Sequence, residues 1–102
     1  MSTNKHRGSS FDNFLREEGV YEATQAAAVK RVIAELLREG MARERISKPE
    51  MARRMGTSRS QLDRVLDPDY VTIQLDTLIK AARAVGRDVQ ILFKPLPARR
   101  SA

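Results

Sequence analysis

A chain of 102 residues with 41% apolar side chains has room for one domain around a single modest core. Its formal charge of +6 favours an acidic partner, and the absence of cysteine excludes disulfides, thiolate metal sites and cysteine nucleophiles. No apolar run is long enough to span a membrane and the first ten residues hold no apolar segment to serve as a secretory signal, so a cytoplasmic protein is expected.

Residues 1–10 are small, polar and slightly basic, which predicts a disordered arm; the lone His6 within it has no partners with which to bind a metal. Phe11, Phe14 and Leu15 follow at helical spacing behind Ser9 and Ser10, predicting a short helix that ends at Gly19 and plugs one end of the core. From Tyr21 the chain is rich in helix formers. Ala26, Val29, Val32, Ile33, Leu36 and Leu37 form a broad apolar stripe along the longest helix, which is expected to end between Gly40 and Glu44.

The stretch Ser47–Leu66 reads as two short helices joined by a tight turn. Ser47 with Glu50, and Ser58 with Gln61, have the spacing of capping boxes, and Pro49 falls in the first turn, where its missing N–H is not needed. Gly56 sits where a helix end requires a left-handed residue. Met51, Ala52 and Met55 share one face of the first helix, and Leu62, Val65 and Leu66 share one face of the second, with Ala52 placed where the helices cross. Left outside on the second helix are Arg59, Ser60, Gln61, Asp63 and Arg64, the side chains a major-groove reader presents to bases and phosphates. Charge agrees with this placement: seven basic residues face three acidic ones between Arg43 and Leu66, whereas residues 11–42 hold four basic against six acidic.

Asp67 precedes Pro68 and is biased away from helical geometry, so the second helix must stop there. Leu75, Leu78, Ile79, Ala82 and Val85 recur at helical spacing and Gly86 closes a last helix, whose start is poorly marked because Gln74 is a weak cap. In RDVQILFKPLP the period changes to two. Val89, Ile91 and Phe93 alternate with polar or oppositely placed neighbours, predicting a strand ended by Pro95 and Pro97, with residues 96–102 as a tail. Only Val71–Ile73 could pair with it inside the chain. The strand is therefore expected to pair with its mate across a two-fold axis, making Val89, Ile91 and Phe93 dimerisation residues; the alternative is an extended tail lying over the helices.

Ala52, Gly56, Leu62 and Val65 together resemble the helix-turn-helix of the Cro/repressor-type (XRE) DNA-binding proteins. FDNFLREEG, GTSRSQLDRVLDP and LDTLIKAARAVGRDVQI resemble the HigA-like antitoxins of type II toxin–antitoxin operons, which repress their own operon and neutralise a toxin. The resemblance implies a mainly α, lambda-repressor-like bundle of about five helices with one C-terminal β-strand, spanning residues 11–95. It implies that Arg59, Ser60 and Arg64 face bases, that Lys48 contacts phosphate, and that Thr57, Ser58 and Gln61 anchor the backbone. Lys48 stands where the family commonly has Gln, so it holds a phosphate by charge alone. Asp63 either accepts from a cytosine amino group or pairs with Arg59. The implied partners are a pseudo-palindromic DNA operator, a second copy of the chain and a cognate toxin. The competing reading is a protein-interaction module without DNA binding. With no Gly-rich phosphate loop, catalytic triad or ligand cluster, neither enzymatic activity nor a metal or other cofactor is expected.

Overall fold

The computed structural model describes residues 2–97, with side chains described from Glu17 onward except that of Glu18. The described residues form four helices: α1 (Ser2–Glu44), α2 (Lys48–Met55), α3 (Arg59–Leu66) and α4 (Leu75–Ala84). The fold is mainly α. α2 packs on both α3 and α4, and α1 packs on α3. At 1.5 Å per residue α1 spans about 64 Å, which accounts for a longest molecular dimension of 62 Å.

α1 replaces three expected segments, the disordered arm over residues 2–10, the short helix to Gly19 and the long helix beyond it. A single glycine inside a helix costs only about 1 kcal/mol relative to alanine, and Arg16, Glu17, Glu22 and Ala23 around Gly19 are all good helix formers. The expectation that Phe11, Phe14 and Leu15 plug the core falls on side chains outside those described.

The apolar stripe of α1 is divided. Ala34, Leu37 and Met41 are buried and Ile33 packs against the core, but Val29, Val32 and Leu36 are about half exposed, and Ala26 faces solvent. The core row continues backwards one turn from Ala34 to Lys30, whose side chain is only 1% exposed. Gly40 lies on the same row, inside the helix rather than at its end. A Cβ there would sit 2.8 Å from Val85 Cβ and Cγ2, so its missing side chain lets α1 meet the end of α4.

Three helix ends close in one way. At the ends of α1, α2 and α4, Ile46 N–H donates to Met41 O, Thr57 to Ala52 O and Arg87 to Ala82 O, each with a second, inner bond beside it. These are Schellman closures, which need a left-handed residue. Gly56 (φ 66°) and Gly86 (φ 76°) supply it for α2 and α4, and Arg45 (φ 57°) does so for α1. α3 cannot close this way, because Pro68 holds Asp67 extended (φ −86°, ψ 114°). An Asx turn follows, with Asp69 N–H donating to Asp67 Oδ1 at 2.9 Å.

α4 begins at Gln74, which makes no side-chain capping bond, in keeping with its weak sequence signal. No strand forms among the described residues, and Val89–Pro97 runs on without ladder bonds, Val71–Ile73 included. No helix among the described residues is long and apolar enough to cross a membrane.

The glycines give a paired test. Gly40→Ala should lower stability by about 1–3 kcal/mol through overpacking against Val85, even though alanine is the better helix former. Gly19→Ala, whose Cβ would meet nothing within 4 Å, should gain about 0.5–1 kcal/mol. Urea midpoints for the two variants should therefore move in opposite directions, and a Gly40→Ala protein as stable as wild type would refute the close approach.

Candidate nucleic-acid interface

The helix pair is held by local chemistry that the sequence specifies. Ser47 Oγ accepts from Glu50 N–H at 3.3 Å and Ser58 Oγ from Gln61 N–H at 3.1 Å, so both N-caps form. The reciprocal halves of the two capping boxes do not. Glu50 turns its carboxylate to Arg53 (2.6 Å) and Arg54 (2.9 Å) instead, and Gln61 Oε1 accepts from Arg64 at 3.0 Å. Hydrogen bonds from Arg53 and then Arg54 hold the Glu50 carboxyl below its usual range. The stabilisation from this cluster is present above the ordinary glutamate pKa and is lost as pH falls through the lowered one.

Burial follows the expected faces. Met51, Ala52 and Met55 of α2 and Leu62, Val65 and Leu66 of α3 are in the core, while Arg59, Ser60, Gln61, Asp63 and Arg64 are exposed. Ser58 is exposed at the start of α3, with its Oγ 3.4 Å from that of Ser60; Thr57 is half-buried in the turn. Lys48, at the start of α2, reaches across to Asp63 Oδ1 at 3.3 Å. Asp63 is thus tied to α2 rather than to Arg59, and two of the candidate contacts neutralise each other. Arg59 has no ion-pair or hydrogen-bond partner among the described residues and is the guanidinium of α3 available to an incoming ligand.

Arg64 is positioned rather than free. Its guanidinium accepts support from two sides, donating to Gln61 and lying 5.8 Å from the centre of the Tyr70 ring. Tyr70 belongs to the loop after Pro68, and with Thr72, Gln74 and Thr77 it walls a recess of about 130 Å³ beside Gln61 and Arg64, floored in part by Val65 and Ile73. No periodic signal in the sequence marks these loop and α4 residues. Of the other basic residues, Arg54 donates to Ala84 O at 2.9 Å and so clasps the end of α4 to α2.

Two further residues that the sequence did not single out sit behind α3. Lys30 Nζ donates to Arg64 O at 3.0 Å and to Asp67 O at 2.6 Å, and Arg38 donates through Nε and a terminal nitrogen to Leu66 O at 3.1 and 3.0 Å. These carbonyls lie at the end that cannot form a Schellman closure, where cations also complement the helix dipole. Burial lowers the Lys30 pKa from its ordinary 10.5, partly opposed by the nearby Asp67 carboxylate. Lys30 offered one clue in the sequence, its place on the row shared by Ala34, Leu37 and Met41.

No protein-family model, curated protein or solved structure matches the chain.

Removing the ammonium tests the cap. Lys30→Met keeps the apolar stem and should cost about 1.5–3 kcal/mol, the range for hydrogen bonds to a charged group. Because the folded-state pKa of Lys30 is lowered, the unfolded chain binds the extra proton between that value and 10.5, and the Lys30 contribution to stability rises with pH there. Denaturation curves from pH 7 to 10 should show the deficit of the variant widening. An unchanged midpoint at pH 7 would mean that desolvation of the ammonium cancels its bonds.

Proposed function

We propose that the chain is a sequence-specific DNA-binding regulator with a lambda-repressor-like helix-turn-helix, acting as a homodimer on a pseudo-palindromic operator. The observation that carries the reading is the division of α3: its apolar residues Leu62, Val65 and Leu66 are wholly committed to the core, and every side chain on its outer face is polar and exposed. A helix so placed, capped at one end by Ser58 and held from behind by α1, can enter a major groove without disturbing the fold.

On this reading Arg59 and Arg64 donate to guanine edges, Ser60 makes a shorter contact with a base, and Thr57, Ser58 and Gln61 lie against the sugar-phosphate backbone. Lys48 meets a phosphate once it exchanges the Asp63 carboxylate for it, and Asp63 is then available to accept from a cytosine amino group. Occupying an operator in this way excludes other proteins from it, so repression is the simplest regulatory outcome. The C-terminal residues Val89, Ile91 and Phe93 join two copies as an antiparallel strand pair, which sets two α3 helices on half-sites about 34 Å apart. For the antitoxin role implied by the resemblance, the exposed residues 19–26 of α1 give a partner protein a surface that DNA does not use.

Binding to random duplex DNA should weaken steeply with salt, with a slope of about −0.9 per phosphate neutralised. On an operator selected from random sequence, Arg59→Ala and Arg64→Ala should each cost about 1–3 kcal/mol and relax preference at the contacted position. Arg53→Ala should cost less, since that side chain is engaged with Glu50. Titrations without salt-dependent binding would instead favour the protein-interaction module.

A further inference from the structure

We infer that the apolar groove between α1 and α4 is the seat of the partner's Phe93 in a two-fold dimer. This rests on the pairing of C-terminal segments proposed above and specifies where that pairing ends. The groove has a volume of about 350 Å³ and is lined by Ile33, Leu36, Leu78, Val85, Val89 and Ile91, among others. It therefore lies between the exposed half of the α1 stripe and the first residues of the C-terminal segment.

Exposure along that segment rises outward. Val89 is half-buried over the groove of its own chain, Ile91 is 59% exposed and Phe93 is 90% exposed. Val89, Ile91 and Phe93 share one face of an extended chain, so the face that starts in the groove runs off its end and leaves the largest side chain uncovered. In an antiparallel pair centred on Ile91, residue 89 of one copy stands opposite residue 93 of the other, with both side chains on the same face. The two-fold thus returns the partner's Phe93 to the groove that Val89 lines, and the reciprocal contact fills the second groove.

A second copy also suits the exposed surface. Val29, Val32, Leu36, Ile91 and Phe93 are each about half exposed or more, a grouping of large apolar side chains that marks an interaction surface. The strand pairing at the same time satisfies backbone groups that have no ladder partner among the described residues.

The chain contains no cysteine, so single thiols can be placed at will. Leu36→Cys and Phe93→Cys chains, mixed and oxidised without DNA, should give a mixed disulfide in preference to either homodimeric one. Phe93→Asp should weaken dimerisation about tenfold to a hundredfold with helical content unchanged, because Phe93 touches little of its own chain. Three results would overturn the inference: a monomeric wild type, a dimer in which Leu36→Cys and Phe93→Cys fail to join, or a doubly substituted chain that closes its disulfide internally. None of these depends on DNA, so their failure is separate from failure of the DNA reading, which the salt titration decides alone.

Discussion

The structure depends on how α3 ends. A proline immediately after Asp67 forbids the left-handed turn that closes the other three helices, and leaves the end of α3 with two isolated backbone bonds, Asp67 N–H to Arg64 O at 3.3 Å and Tyr70 N–H to Asp67 O at 3.1 Å. α1 resolves this by sending Lys30 and Arg38 across to Arg64, Leu66 and Asp67. The contact is made entirely to backbone. It therefore fixes the axis of α3 against α1 without using any outward side chain of α3, and that separation is what leaves Arg59, Ser60, Asp63 and Arg64 uncommitted to the core.

What was legible in the sequence was local. Ser47, Ser58, Gly56 and Gly86 each mark a helix boundary through one side chain or one backbone conformation, and all four act as their residue types suggest. The faces of α2 and α3 followed from spacing alone. Glycine was the less dependable guide in α1: Gly19 looked like a stop and is simply tolerated by a strong helix, while the helix ends at Glu44, inside the expected Gly40–Glu44 window, and Gly40 is a contact point with Val85 that depends on tertiary packing. Lys30 could not be read from its type, since a lysine on a core row becomes intelligible only when its acceptors, 34 and 37 residues away, are known. The same holds for Asp63, whose Lys48 partner is 15 residues away across a helix crossing and outcompetes the sequence-near Arg59.

The surface carries two unlike regions. Around α3, Lys48 is paired with Asp63, and Arg53 and Arg54 with Glu50, so a polyanion arriving there exchanges these ion pairs, whereas Arg59 and Arg64 have no carboxylate partner among the described residues. Along one stripe of α1 and the C-terminal segment, Val29, Val32, Leu36, Ile91 and Phe93 are instead exposed, a grouping that marks an interaction surface. Electrostatic contact and apolar contact are thus assigned to different parts of the chain, and α1 serves both by anchoring α3 with one row of side chains and exposing Val29, Val32 and Leu36 with another.

The burial of Lys30 also has a chemical consequence. An amine whose pKa is lowered is more often in the neutral, nucleophilic form than an ordinary lysine, yet with 1% exposure it is closed to reagents in the folded chain. Lys80 and Lys94 are exposed and Lys48 is half-buried, so acylating reagents modify these first. Lys30 reacts only when α1 lifts from α3, and its acylation then removes the charge and prevents the cap from forming again. The rate at which this one lysine is modified is therefore a direct clock of local opening behind α3.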